Sequence, residues 1–142
     1  MASQAQGYEF FDHTADIGIR ARGTTLAELF TALARGLTEL SVEDSCVQPS
    51  EARPVALSAP DVESLVLVWL QELLFWFSTE RFLPAEFALD DVSPTALRGQ
   101  IRGERFDPQR HARGREVKAI TRHRLEVRQR GGGWQAQVIV DI

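Results

Sequence analysis

Residues 62–77 constrain the fold of this chain more than any other segment. Read at helical spacing they are apolar almost all round, with Glu63, Gln71 and Glu72 as the strongly polar exceptions. A helix of that kind has to be buried on more than one side. A buried pair of strands is the alternative, but the length and the charged residues favour helix. The stretch is too short and too charged to span a bilayer. Pro60 stands near its start, where a missing N–H costs nothing. With 142 residues, 44% hydrophobic and 25% charged, the chain has the size and composition of one domain around one core.

A second helix is marked by its cap and its stripe. Thr25 and Glu28 have capping-box spacing, and Leu26, Leu29, Phe30, Leu33, Leu37 and Leu40 follow on one face, with an end expected near Ser41. Before it, residues 8–11 and the alternation of Ile17, Ile19 and Ala21 with Gly18, Arg20 and Arg22 read as strands. Residues 47–54 read as a loop and 55–57 as a short strand. After Pro84 the segments 86–89, 96–102, 117–121, 124–128 and 135–140 have strand character, interrupted by a polar loop over 104–115. Gly131-Gly132-Gly133 supplies a hairpin turn. Residues 1–7 are small and polar and are expected to fray, which leaves 8–142 as one domain. Strands on both sides of two helices predict an α+β fold, with two helices packed on a largely antiparallel sheet.

The net charge of −4 conceals a split. Residues 1–97 carry 5 Arg against 15 acidic residues, or −10, whereas residues 98–142 carry 10 Arg and 1 Lys against 5 acidic residues, or +6. Such asymmetry marks a surface that meets polyanions, or two halves that interleave in one sheet and neutralise each other. Interleaving suits a single small domain better. Of 16 basic residues only Lys118 is lysine, a compact ammonium rather than a planar fork. The lone Cys46 makes no internal disulfide or cysteine zinc site. With no secretory leader pattern, the expected location is the cytoplasm.

Two acidic segments can carry chemistry. Asp12-His13-Thr14-Ala15-Asp16 interrupts two strands, and its carboxylates are hard donors suited to Ca²⁺, Mg²⁺ or Mn²⁺. The same bend serves equally as a polar turn in which Asp12 caps backbone N–H groups. At the other extreme, Val138-Ile139-Val140 runs into Asp141-Ile142, so the Asp141 side chain and the terminal carboxylate lie close together. If the bend sits beside this end, converging carboxylates require a cation, a proton or wide spacing. A frayed, solvated terminus is the alternative. His13, His111 and His123 lack metal-site spacing, and no phosphate-loop, dinucleotide or serine-nucleophile motif occurs. The Arg-rich run over 98–130 lacks the interleaved aromatics of a base-stacking platform.

Four segments line up in order with one family. They are Asp12-His13-Thr14-Ala15-Asp16-Ile17-Gly18, Trp69-Leu70-Gln71-Glu72-Leu73-Leu74, the run from His111 through Glu116-Val117-Lys118-Ala119-Ile120-Thr121, and Val140-Asp141-Ile142. Together, from Tyr8 to Ile142, the chain resembles archease. The resemblance implies a non-enzymatic protein cofactor of an RtcB-type RNA ligase used in tRNA splicing and RNA repair. Such a cofactor promotes guanylylation of the ligase and permits multiple turnover, with RNA met only through the ligase. It also implies Asp16, Asp141 and the terminal Ile142 as ligands of a divalent metal, usually calcium, with magnesium or manganese as alternatives. Lys118 would be the functional basic residue. One departure is Arg122, where family members often carry Tyr. A homo-oligomer is left open, and no membrane role is implied.

Two other classes of function stand beside this one. The same carboxylates with Lys118 nearby fit a metal-dependent phosphoester hydrolase, although no general base is evident beyond the ligands. The positive C-terminal part fits an RNA-binding module, which a pI near 5.4 disfavours.

Overall fold

Periods of 3.6 and 2 alternate along the chain and sort it into helices that bring the core together and strands that enclose it. The computed structural model describes residues 7–13, 16–43 and 46–142, the side chains of Asp12 and His13 excepted. In chain order the elements are β1 (Tyr8–His13), β2 (Asp16–Gly23), α1 (Leu26–Ser41), β3 (Val42–Glu43), β4 (Glu51–Ser58), α2 (Val62–Glu80), β5 (Phe82–Ser93), β6 (Ala96–Arg105), β7 (Ala112–Arg113), β8 (Ala119–Arg130) and β9 (Gly133–Asp141). The α+β expectation holds, and every described strand pair is antiparallel.

The strands divide between two main sheets rather than forming one. A four-stranded sheet has the order β1-β2-β9-β8, a three-stranded sheet the order β4-β6-β5, and β3 pairs with β7 separately. Helix α1 packs on β2 and β5, and α2 on β8, β4 and β5, so the helices join the two sheets. Each sheet then needs one apolar face only. In β2, Ile17, Ile19 and Ala21 are buried while Arg20 and Arg22 are exposed. The N-terminal and C-terminal parts of the chain interleave in both sheets, as one small core requires.

Helix α1 begins as its sequence suggests, with a shift of one residue in the cap. Thr25 Oγ1 accepts from the Glu28 N–H at 3.2 Å, but Glu28 Oε1 reaches back to the Thr24 N–H at 2.7 Å rather than to that of Thr25. Helix α2 starts at Val62, two residues later than Pro60 at its first position would give. Asp61 is the cap, its Oδ1 accepting from the Ser64 N–H at 2.8 Å, and Pro60 precedes it. The helix continues to Glu80 and ends at Arg81, whose φ of 59° is left-handed. Its 19 residues meet the length and hydropathy of a membrane span, contrary to the estimate from residues 62–77 alone. Leu65, Val66, Trp69 and Leu70 are nevertheless fully enclosed, as in a core helix. The Trp69 indole N–H, which burial would leave unpaired, donates to the Phe30 carbonyl at 2.9 Å.

Two further differences come from strand edges. Residues 51–54 belong to β4 and not to a loop, with Pro54 opposite Gln100. Strand β4 lies at a sheet edge, where a proline's missing N–H breaks no ladder. The expected strands over 117–121 and 124–128 are one strand, β8, with a bulge between Thr121 and Glu126 that places Arg124 at φ 55°. The hairpin turn forms as expected, with Arg130 opposite Gly133 and both Gly131 and Gly132 at positive φ. Residues 1–6 lie outside the described residues, while the Gly7 carbonyl accepts from the Arg22 N–H.

Candidate metal centre

Asp16 opens β2 and Asp141 closes β9, and the antiparallel register sets them directly opposite each other. Asp141 also faces Ala119 at the start of β8, and the Lys118 N–H donates to the Asp141 carbonyl at 2.7 Å. Opposed residues of an antiparallel pair project from the same face, with Cβ atoms about 4.5–5.5 Å apart. The adjacent pair Ile17 and Val140 is buried toward the helices. By alternation, both aspartates belong to the other face. Asp16 is half-buried there and Asp141 is exposed.

The end of β9 is held firmly. This strand lies between β2 and β8, its Val138, Ile139 and Val140 are fully buried, and Ile142 packs against the core. On the aspartate face Gly18 lies opposite Ile139, and the Phe11 ring covers the space where a Gly18 side chain would be. The Arg20 guanidinium sits 4.1 Å over that ring. A frayed, solvated end is therefore not what these residues form.

Like charges directly across a sheet are unfavourable. The donor set suits a hard divalent cation, since two carboxylates share one face and further oxygens are within the same strand end. Among the described residues no three His, Cys, Asp or Glu side chains converge. A cation here would therefore draw on backbone oxygens of the strand end or water besides the two aspartates. The side chains of Asp12 and His13, on which the family resemblance places no role, and the whole of Thr14 and Ala15 lie outside the described residues, and with them the reading of Asp12 as a backbone cap; the His13 backbone pairs with that of Asp16.

Lys118 is exposed at the end of a loop fastened by a cluster that sequence reasoning missed. Buried Glu104 accepts from the Gln48 N–H at 2.6 Å, from the Arg110 guanidinium, and from His111 Nε2 at 3.1 Å. His111 Nδ1 accepts from the Asp107 N–H at 2.9 Å, so the ring proton faces Glu104. Burial opposes ionisation of Glu104, but these donors outweigh it and hold the carboxyl below its ordinary value. Farther along, the Gly114 and Arg115 N–H groups donate to the Ser41 and Leu40 carbonyls at the end of α1. No local pattern flagged this cluster, because Gln48 and Glu104 meet only in the fold. Arg122, the departure from the family pattern, turns its guanidinium to Ser64 Oγ at 3.3 Å, at the start of α2.

Two clefts, of about 730 and 320 Å³, open around Arg22 and Arg130, toward the opposite end of the four-stranded sheet from the aspartates.

Comparison with known proteins agrees with the fold. The model of the archease protein family (MTH1598/TM1083) matches residues 8–142. Protein archease of Methanosarcina acetivorans is 36% identical over 146 residues, spanning 100% of both chains. Protein archease of Sulfurisphaera tokodaii is 38% identical over 138 residues, covering 96% of this chain and 99% of that protein. The solution structure of Methanobacterium thermoautotrophicum protein 1598 superposes with a TM-score of 0.81 at 37% identity, covering 96% of this chain and 99% of the other. With matched residues running from the first strand to the paired aspartates and beyond, this chain belongs to the archease family.

Proposed function

We propose that the chain is a protein activator of an RtcB-type RNA ligase, acting in the cytoplasm to promote ligase guanylylation and multiple turnover in tRNA splicing and RNA repair. The observation that carries this reading is the in-register pairing of Asp16 with Asp141, the two side chains that the family resemblance marks as ligands. Asp16, Asp141 and the Ile142 carboxyl group would hold the cation, calcium by resemblance, with magnesium or manganese suited to the same oxygens. When bound, the ion supplies positive charge that offsets phosphate charge during nucleotidyl transfer. Lys118, whose backbone N–H is bonded to the Asp141 carbonyl, would offer its ammonium to a phosphate or an acidic ligase surface. The chain itself turns over no substrate in this reading, and RNA is met through the ligase.

Single-turnover guanylylation of the cognate ligase, with and without this protein, tests the reading. Stimulation should vanish with chelator and return with added calcium. Asp16→Ala and Asp141→Ala should each reduce the rate to that of the ligase alone while circular dichroism shows an intact fold. Full stimulation by both variants would overturn the metal-centre mechanism.

A further inference from the structure

The end of the four-stranded sheet opposite the aspartates carries a cleft rich in arginine. The cleft of about 730 Å³ lies between the β8–β9 turn, the first turns of α1 and the inner side of β5. It is an open groove on the surface, wide enough to take a ligand along one side. Three basic residues, Arg22, Arg35 and Arg130, are among its lining, with Glu28 the one acidic residue. That carboxylate is already engaged by the Thr24 N–H. Among the described residues, neither Arg22 nor Arg130 has a carboxylate within ion-pair distance. Three arginines around one cleft, in a chain of net charge −4, make this end of the molecule locally positive and attractive to an anion.

The rest of the lining narrows the anion's chemistry. Gly131 and Gly132, both at positive φ in the hairpin turn, border the cleft, and no side chain screens their backbone from an incoming ligand. Trp134 and Phe87 line the same space, with the Arg35 guanidinium 5.9 Å from the Phe87 ring centroid. Planar forks suit phosphate oxygens, and aromatic and guanidinium surfaces suit a flat ring. We propose that this cleft binds a nucleoside phosphate, either free or as the end of a nucleic-acid strand, with Arg22 and Arg130 on the phosphate and Trp134 beside the base.

The site is about 20 Å along β2 from Asp16, at the usual rise of about 3.3 Å per residue, so its test is separable from that of the metal centre. Amide spectra of the full chain, labelled with ¹⁵N, would be followed during titration with AMP, GMP, adenosine, inorganic phosphate and a short single-stranded RNA. The expected result is saturable shifts at Gly131, Gly132 and the Trp134 indole with a mononucleotide, absent with adenosine. Binding should weaken as salt rises, and each of Arg22→Gln and Arg130→Gln should lower affinity about tenfold, the worth of one charge-assisted contact. Asp16→Ala should leave the titration unchanged. RNA binding at least as tight as the mononucleotide would assign the strand end as the source, and weaker RNA binding the free nucleotide. Inorganic phosphate binding as tightly as the nucleotide would overturn the assignment, as would shifts that survive both Arg substitutions or the absence of any shift.

Discussion

The two ends of the four-stranded sheet are built by different means. At one end, Asp16 and Asp141 are brought together by backbone register alone, with β9 paired on both sides and Ile142 packed on the core. At the other, Arg22, Arg35 and Arg130 come from a strand, a helix and a hairpin, and they line one cleft beside a glycine turn. A register-built site is rigid before any ion arrives, so little ordering entropy is spent on binding. A site built from exposed arginines has to immobilise flexible side chains, at about 0.5–1.5 kcal/mol each. The aspartate end therefore suits a small ion that tolerates little displacement, and the arginine end a larger ligand that spreads over several contacts.

The largest effect expected from this contrast is on thermal stability. An ion that binds only the folded chain adds about 2.7 kcal/mol at a hundred times its Kd, which for a domain of this size raises Tm by roughly 10 °C. Calcium should produce such a shift in the parent protein, and the doubly substituted Asp16→Asn/Asp141→Asn chain should lose it. Arg22→Gln/Arg130→Gln should retain it in full. Differential scanning calorimetry with calcium or chelator decides the matter, and an equal calcium shift in the aspartate variant would place the ion elsewhere.

The next effect separates the ends through the Glu104 cluster, which fastens the loop leading to Lys118. Glu104→Gln removes an ionised acceptor from the Gln48 N–H, Arg110 and His111 and should cost about 2 kcal/mol in urea unfolding. The pH dependence has a definite sign. The folded carboxyl holds its proton less tightly than the unfolded chain does. Its contribution is therefore complete above the unfolded value of about 4.3 and is lost as pH falls through the lower folded value. The variant should lack that part of the acid destabilisation. Hydrogen exchange should quicken at residues 106–118 and stay unchanged at the Gly131–Gly132 turn.

What could be read before folding follows the same division. The helices were legible because Thr25, Glu28 and the leucine stripe act within a few residues of one another, and the apolar run over 62–77 admits few alternatives. The sheet split was not, since nothing local tells β6 to pair with β4 and β5 while β9 pairs with β2 and β8. Asp16 and Asp141 could be suspected as acidic groups, but their juxtaposition depends on a register between strands at nearly opposite ends of the chain, and the family resemblance selected them. The arginine cleft left no linear trace. Gly131-Gly132-Gly133 read only as a turn, and Arg22, Arg35 and Arg130 only as charges on three separate elements.

Gly18→Ala should give the smallest effect and the sharpest contrast. An added Cβ would lie 2.0 Å from the Phe11 ring, so the ring has to leave its place over β2. The ring is the far end of a flexible side chain, which keeps the cost to about 1–2 kcal/mol. Its departure removes the contact with the Arg20 guanidinium and uncovers Ile139, which is fully buried in the parent. The aspartate end, two residue pairs along the ladder, should then lose calcium affinity in isothermal titration, while nucleotide-induced shifts at Gly131, Gly132 and Trp134 stay at their parent values. Loss at both ends together would mean that the sheet transmits the strain along β2 and β9, and that the two sites are one mechanical unit.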